Sequence, residues 1–202
     1  IKKIRYQSKI IKVDTKLKKN FINKFHNEYF SSASNIENLS FVIELAKKFK
    51  IKKSNLFKAV KKFKGLNYRQ QTIFKNKEIS IINDSKSTSY SSSIEMLRMR
   101  SNIYWLIGGI PKKGDRLILT QNDYKNIKGF IFGGYQKKFY LDLKNKIKIK
   151  KFSNLKTTLK ELFKDLKKDD SKKKIVLFSP AAASFDTFKN FEDRGKYFNY
   201  QL

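Results

Sequence analysis

The chain has 202 residues, 47 Lys or Arg against 17 Asp or Glu, and a formal net charge of +30. That length suits one domain plus a piece of another, and 40% apolar content with 18 Phe excludes a disordered chain. With no Cys and one His, His26, disulfide scaffolds, thiolate metal sites and an all-histidine metal site are excluded.

In chain order, residues 1–30 alternate weakly at Ile10, Ile11 and Val13, then carry Phe21, Ile22, Phe25, Tyr29 and Phe30, which predicts a short strand or two. Residues 31–35 form a polar break suited to capping a helix. Ile36, Leu39, Val42, Ile43, Ala46 and Phe49 follow at helical spacing. A second helix is predicted after an N-cap at Ser54, with Leu56, Phe57, Val60 and Phe63 on one face and Gly65 ending it.

After Arg69 the rhythm changes. Residues 71–74 and 79–82 read as two strands around a lysine turn, and a helix follows residue 89. Strand and helix then alternate: strand 102–107 into Gly108-Gly109, a short helix at 120–127, strand 129–132 into Gly133-Gly134, helix 137–143, strand 147–149, amphipathic helix 155–166, strand 174–178 and helix 185–197. Strands separated by crossover helices mean an α/β fold, a Rossmann-like mostly parallel sheet with helices on both faces. A helical tail precedes it, so the domains are placed at 1–68 and 69–202.

The charge invites a nucleic-acid reading. Yet Arg occurs only at 5, 69, 98, 100, 116 and 194, and the lysines spread over runs at 47–53, 61–64, 144–151 and 167–174. Nucleic-acid sites favour the Arg fork, so the surplus reads as solvated surface lysine with no specific nucleic-acid partner. The longest apolar stretch, residues 103–110, is far below the ~20 residues of a membrane span, and no membrane insertion is expected. Residue 1 is Ile, so the natural start is expected upstream.

Ligands of an open parallel sheet sit beyond its strand carboxyl ends. Three polar segments are predicted there. Asn83-Asp84-Ser85-Lys86-Ser87-Thr88-Ser89 offers a carboxylate, an ammonium, hydroxyls and a helix N-terminus, which suit a phosphate or carboxylate ligand or an ordinary cap. Gly108-Gly109-Ile110-Pro111-Lys112-Lys113-Gly114-Asp115 combines a tight turn with two lysines, though no Gly-Lys-Ser/Thr closes it as a P-loop. Ser179 to Phe191 places three Ala at a strand end, with Ser184 or Asp186 as candidate caps of the next helix. No catalytic triad or zinc motif is present, and these residues alone support an anion- or nucleotide-binding α/β domain.

The same segments, in this order, resemble the Mur ligases. Asn83-Asp84-Ser85-Lys86-Ser87-Thr88 is similar to the family's "NDSKATN", and Gly108-Gly109-x-x-Lys112 to its glycine-pair-then-lysine loop. Ser179-Pro180-Ala181-x-Ala183-Ser184-Phe185-Asp186-x-Phe188-Lys189-Asn190-Phe191-x-x-Arg194-Gly195 resembles "SPACASFDMFKNFEERG". Upstream, Asn35-x-x-Asn38 resembles "HNxxN" and Leu66-x-x-Arg69 resembles "LPHR". The chain departs from these patterns at Ser34, Asn67, Tyr68, Ser89 and Ala182.

The resemblance implies a Mur ligase C-terminal domain at 69–202, behind the end of the central ATP-binding domain at 1–68. It implies an ATP-dependent ligase of peptidoglycan biosynthesis, cytoplasmic and monomeric at full length, adding D-glutamate to UDP-N-acetylmuramoyl-L-alanine. By motif, Lys86 would be catalytic, near the ATP phosphates. Lys112, Thr88, Ser184, Phe185 and Phe191 would hold D-glutamate. Asn35, Asn38, Arg69 and Asp84 would contact the adenosine end of ATP. The family's P-loop, its Mg2+ ligands, its carbamylated lysine and its UDP-binding domain are expected upstream of residue 1, with no metal ligand in this chain, which would be inactive alone. The alternatives are another Mur ligase or a folylpolyglutamate synthase relative, a basic nucleic-acid-binding module, or a stand-alone nucleotide-binding domain.

Overall fold

The computed structural model describes residues 10–15, 22–99 and 101–202. The chain divides into two compact units, Ile1–Lys64 and Gly65–Leu202. That division puts Tyr68 and Arg69 in the second unit.

In the first unit a 3-10 turn, Glu28–Ser31, leads into α1, Ala33–Lys48, and then α2, Lys53–Lys62. Ser32 caps α1 by accepting from the Asn35 N–H, as the polar break suggests. Asn27 accepts from the Tyr29 N–H and donates to the carbonyls of Val60 (2.7 Å) and Phe63 (2.8 Å), tying the turn to the end of α2. Phe25, Phe30, Leu39, Ile43 and Val60 form the core, with Phe25 stacked on Phe57.

Three expectations fail here; in one, α2 ends at Lys62 with Phe63 as its C-cap, so Gly65 is not its C′ residue. Residues 10–15 and 22–31 contain no strand; Phe25 and Phe30 fill a helical core instead, and Phe21 lies outside the described residues. Ser54 is not the cap of α2, which starts at Lys53 with Lys52 before it and no side-chain cap.

The second unit is a six-stranded sheet of β1 (Gln71–Lys75), β2 (Ile79–Asn83), β3 (Asn102–Gly108), β4 (Ile127–Phe132), β5 (Lys148–Phe152) and β6 (Lys174–Phe178). The order is β1-β2-β6-β3-β4-β5, and only the β1–β2 pair is antiparallel. Every residue of β6 is buried, as are the last six of β3, which is why these near-continuous apolar runs form the centre. β5 is an edge strand carrying Lys148, Lys150 and Lys151, charges that discourage pairing with another chain.

Two-residue periodicity splits the side chains between two cores. Ile103, Trp105, Ile107, Ile175 and Leu177 face one layer with α3 (Tyr90–Leu97) and α5 (Gln136–Leu143). Tyr104, Leu106, Val176 and Phe178 face the other, with α6 (Leu155–Lys167) and α7 (Phe191–Tyr200). A single turn, α4 (Gln121–Tyr124), precedes β4. The α/β fold with helices on both faces is therefore present. The last helix starts later than predicted. Asn190 caps it, accepting from the Asp193 N–H at 2.7 Å, so neither Ser184 nor Asp186 does. Residues 185–190 form turns in which the Ser184 carbonyl accepts from the Thr187 and Phe188 N–H groups.

Candidate functional site

β2, β6 and β3 are neighbours and mutually parallel. Their carboxyl ends, Asn83, Phe178 and Gly108, therefore open side by side on one edge of the sheet. The three polar segments leave from these ends. The site is built where β6 enters between β2 and β3, a switch in strand order that opens a crevice.

Backbone bonds join the segments. Ile110 and Ala183 exchange N–H···O bonds of 2.8 and 2.9 Å, and the Gly108 N–H donates to the Pro180 carbonyl at 3.1 Å. Gly109 makes this possible: its φ is +119°, and a Cβ there would lie 2.2 Å from the Ala183 carbonyl oxygen. The far end of the loop returns to α3, where the Asp115 carboxylate accepts from the Tyr90 N–H at the helix N-terminus. Gly195 admits the Tyr68 ring, which a Cβ would meet at 2.4 Å.

Arg194 lies at the centre, fully buried on α7. Its Nε donates to Ser85 Oγ (3.1 Å), and one terminal nitrogen to the Ser85 carbonyl (2.7 Å). The other donates to the carbonyls of Ala182 (2.9 Å) and Gly108 (3.3 Å). Burial lowers its pKa to about 10, against the pull of Asp186 and Asp84, so it stays cationic near neutrality. Ser85 Oγ donates in turn to the Phe191 carbonyl at 2.8 Å. Asn83 donates to the Gly195 carbonyl (2.9 Å) and to Asn199 Oδ1 (2.7 Å), fastening the end of β2 to α7.

Asp84 is 5% exposed. It accepts from the Gln70 N–H at 3.1 Å and from Ser179 Oγ at 2.9 Å. Behind Ser179 runs a chain of hydroxyl contacts, to Ser93 at 2.8 Å and on to Ser87 at 2.6 Å. Burial pushes the Asp84 carboxyl up to about 7, although the Ser179 hydroxyl, the Gln70 N–H and the charge of Arg69 all lower it. Arg69, itself exposed, is thus electrostatically coupled to Asp84.

Lys86 is half-buried, and its ammonium sits 4.1 Å from the centroid of the Phe191 ring. Its N–H donates to the Tyr68 carbonyl at 2.9 Å. Ser184 is buried, while Thr88, Lys112 and Phe185 are exposed along the crevice-side loops. The structure thus joins Asp84, Lys86, Phe191 and the loops bearing Lys112 and Ser184 through one bonded network. Asn35 and Asn38 belong to the first unit. There Asn35 is buried with its amide donating to the Tyr29 carbonyl at 2.8 Å, and Asn38 is exposed.

Arg194, Ser85, Asn83 and Ser179 are working parts that residue spacing did not single out. One signal existed for Arg194: it stands one helical turn before the buried Phe198, on the apolar side of α7 where a charge is out of place. Two surface grooves, of about 460 and 620 Å³, open elsewhere, around residues at the start of β4 and β5 such as Lys128 and Lys148. Among the described residues, no three His, Cys, Asp or Glu side chains gather to hold a metal ion. No helix of the described residues is long and apolar enough to cross a membrane.

No family model matches the chain. Individual proteins do. The UDP-N-acetylmuramoylalanine–D-glutamate ligase of Rickettsia prowazekii (strain Madrid E) is 32% identical over 172 residues, covering 85% of this chain and 39% of that protein. The enzyme of the same name from Prochlorococcus marinus (strain MIT 9312) is 35% identical over 183 residues, covering 86% of this chain and 38% of that protein. This chain belongs to the Mur ligase family. It spans well under half the length of these Mur ligase relatives. Among solved Mur ligases, UDP-N-acetylmuramate–alanine ligase from Thermotoga maritima has a TM-score of 0.56 at 16% identity, over 84% of this chain and 38% of that one. The MurF ligase from Thermotoga maritima, in complex with ADP, has a TM-score of 0.53 at 14% identity, over 84% of this chain and 38% of that one. At such identities the likeness bears on the Mur ligase fold alone.

Proposed function

We propose that this chain is the C-terminal, amine-donor part of a cytoplasmic ATP-dependent ligase that joins D-glutamate to UDP-N-acetylmuramoyl-L-alanine. The observation that carries the reading is the convergence of three motif segments, distant in sequence, at the adjacent carboxyl ends of β2, β6 and β3. The 32–35% identity to D-glutamate ligases over most of the chain supports the same substrate.

In the reaction, ATP phosphorylates the carboxylate of UDP-N-acetylmuramoyl-L-alanine. The amine of D-glutamate then attacks that carbonyl carbon and phosphate leaves, giving an amide, ADP and inorganic phosphate. Lys112 supplies a cation for the dianionic amino acid, and Thr88 and Ser184 supply hydroxyl donors. Phe185 and Phe191 wall the site. Lys86 neutralises phosphate charge, with its ammonium aimed by the Phe191 ring. Asp84 and Arg69 serve the adenosine end. The work of the second unit is positioning: it holds the amine where the acyl phosphate forms. The phosphoryl step uses magnesium, but the described residues offer no cluster of ligands for it, so no step here is assigned to the ion.

The test is phosphate release by the complete protein that carries this chain, given ATP, UDP-N-acetylmuramoyl-L-alanine and either enantiomer of glutamate. Release with D-glutamate and not with L-glutamate is expected. No release, or equal use of both enantiomers, overturns the reading.

A further inference from the structure

We propose that Arg194 is the positioning residue of this site, its guanidinium locking the three ligand-bearing loops against one another so that the amine-donor pocket forms only while the lock holds. The pocket half of this inference rests on the D-glutamate reading above; the lock itself does not.

Each acceptor of Arg194 stands just beyond, or at the end of, a different strand. Gly108 closes β3, Ser85 follows β2, and Ala182 follows β6. All are uncharged: three backbone carbonyls and one hydroxyl. A fully buried cation with no carboxylate in contact is expensive. If only volume mattered, Met or Leu would fill the space without that cost. What those side chains lack is a planar fork of five N–H donors that reaches several carbonyls at once.

The residues proposed to meet ligand hang on these anchors. Lys86 is next to Ser85, and Ser184 is two residues from Ala182. Lys112 lies two residues after Ile110 of the Ile110–Ala183 bridge. Phe191 lies three residues before Arg194 on α7 and sends its carbonyl to Ser85 Oγ. Gly109 completes the lock, since a Cβ there would sit 3.0 Å from an Arg194 terminal nitrogen.

The variant Arg194→Lys keeps a charge and most of the stem but concentrates its donors on one nitrogen, which cannot span three loops. Amide hydrogen exchange on the 202-residue chain is the first readout. We expect the amides of Lys86, Ile110 and Ala183 to exchange roughly 10- to 100-fold faster, with those of β4 unchanged. Unchanged loop amides overturn the proposal, and so does equal acceleration in β4, which would make Arg194 a general stability residue. Should Arg194→Lys fail to fold, Ser85→Ala removes the Nε acceptor and the hydroxyl bond to the Phe191 carbonyl while leaving the three carbonyl acceptors of Arg194 in place. Faster exchange at Lys86 and Ser87 is then expected, and none overturns the lock. The second readout is kinetic, in the complete ligase. Arg194→Lys should raise KM for D-glutamate about tenfold or more while KM for UDP-N-acetylmuramoyl-L-alanine holds. A fall in kcat with both KM values unchanged overturns the positioning role. If the unaltered ligase ignores D-glutamate, the substrate reading fails, and the exchange experiment still decides the lock.

Discussion

Replacing Asp84 by Asn should change how the stability of the fold depends on pH. The folded carboxyl has a pKa of about 7, against an ordinary value of 3.8 in the unfolded chain, because burial opposes its charge. Between those values the folded protein keeps a proton that the unfolded chain has lost. The stability attributable to this proton is fully present below about pH 3.8 and is lost as pH rises through about 7. Asn does not ionise, so the stability of the variant relative to the unaltered protein should climb across this window and level off above it. A shift of roughly 3 units at 1.36 kcal/mol each sets the climb on the order of 4 kcal/mol, half of it reached near pH 5.5. The Asn amide adds a constant offset but no slope. Other titrating groups, Asp186 among them, cancel in the difference. Urea denaturation from pH 4 to pH 8 measures it, read by the fluorescence of Trp105, the single Trp and fully buried. A difference curve that is flat above pH 5 refutes the reasoning, since Asp84 would then ionise as an ordinary carboxyl. The same shift has a binding consequence. A ligand that donates a hydrogen bond to Asp84 favours its ionised form and should release a proton on binding near pH 7.

Two further outcomes test the loop that carries Lys112. Gly109→Ala places a Cβ 2.2 Å from the Ala183 carbonyl oxygen at a φ of +119°; a loss of about 1–3 kcal/mol or more is expected from the denaturation midpoint, and an unmoved midpoint refutes the close approach. Lys112→Ala alters an exposed side chain, so stability should hold within about 0.5 kcal/mol. On the D-glutamate reading, the same change in the complete protein should raise KM for D-glutamate about 10- to 100-fold, because a cation facing its carboxylates is lost; an unchanged KM removes Lys112 from the site.

The three polar strand-end segments were legible because they are local. A strand pattern running into Gly108-Gly109, or into Ser179-Pro180, marks a carboxyl end whatever its neighbours are. The last helix was misread for a related reason. Phe185 and Phe188 continue the apolar spacing of α7 backwards, but Asn190 provides a better cap than Ser184 or Asp186, and the turn at Ser184 takes the intervening backbone groups. The strand expected near the start is absent from the described residues: Ile10 and Ile11 are exposed, and Phe25 and Phe30 pack with Leu39, Ile43 and Val60 of the helices. For Arg194 the sequence offers a motif letter and a charge on the apolar side of α7, but not its partners. Its role depends on carbonyls 12, 86 and 109 residues away, and no local pattern encodes them.

The sequence by itself determined that this is an α/β chain with a parallel sheet, two helical layers and polar segments at three strand ends. The near-continuous apolar runs of β3 and β6 and the helical spacing along α6 are local consequences of which residues are apolar, and they survive any arrangement of the elements. Only the tertiary structure decided that β6 enters between β2 and β3 and that the β1–β2 hairpin leaves β1 at the edge. Strand order is chosen by which faces the crossovers cover and by the long-range packing they share, which adjacent residues do not record. That order makes one site of three segments, and Arg194 can hold them because the carbonyls it needs come from neighbouring strands.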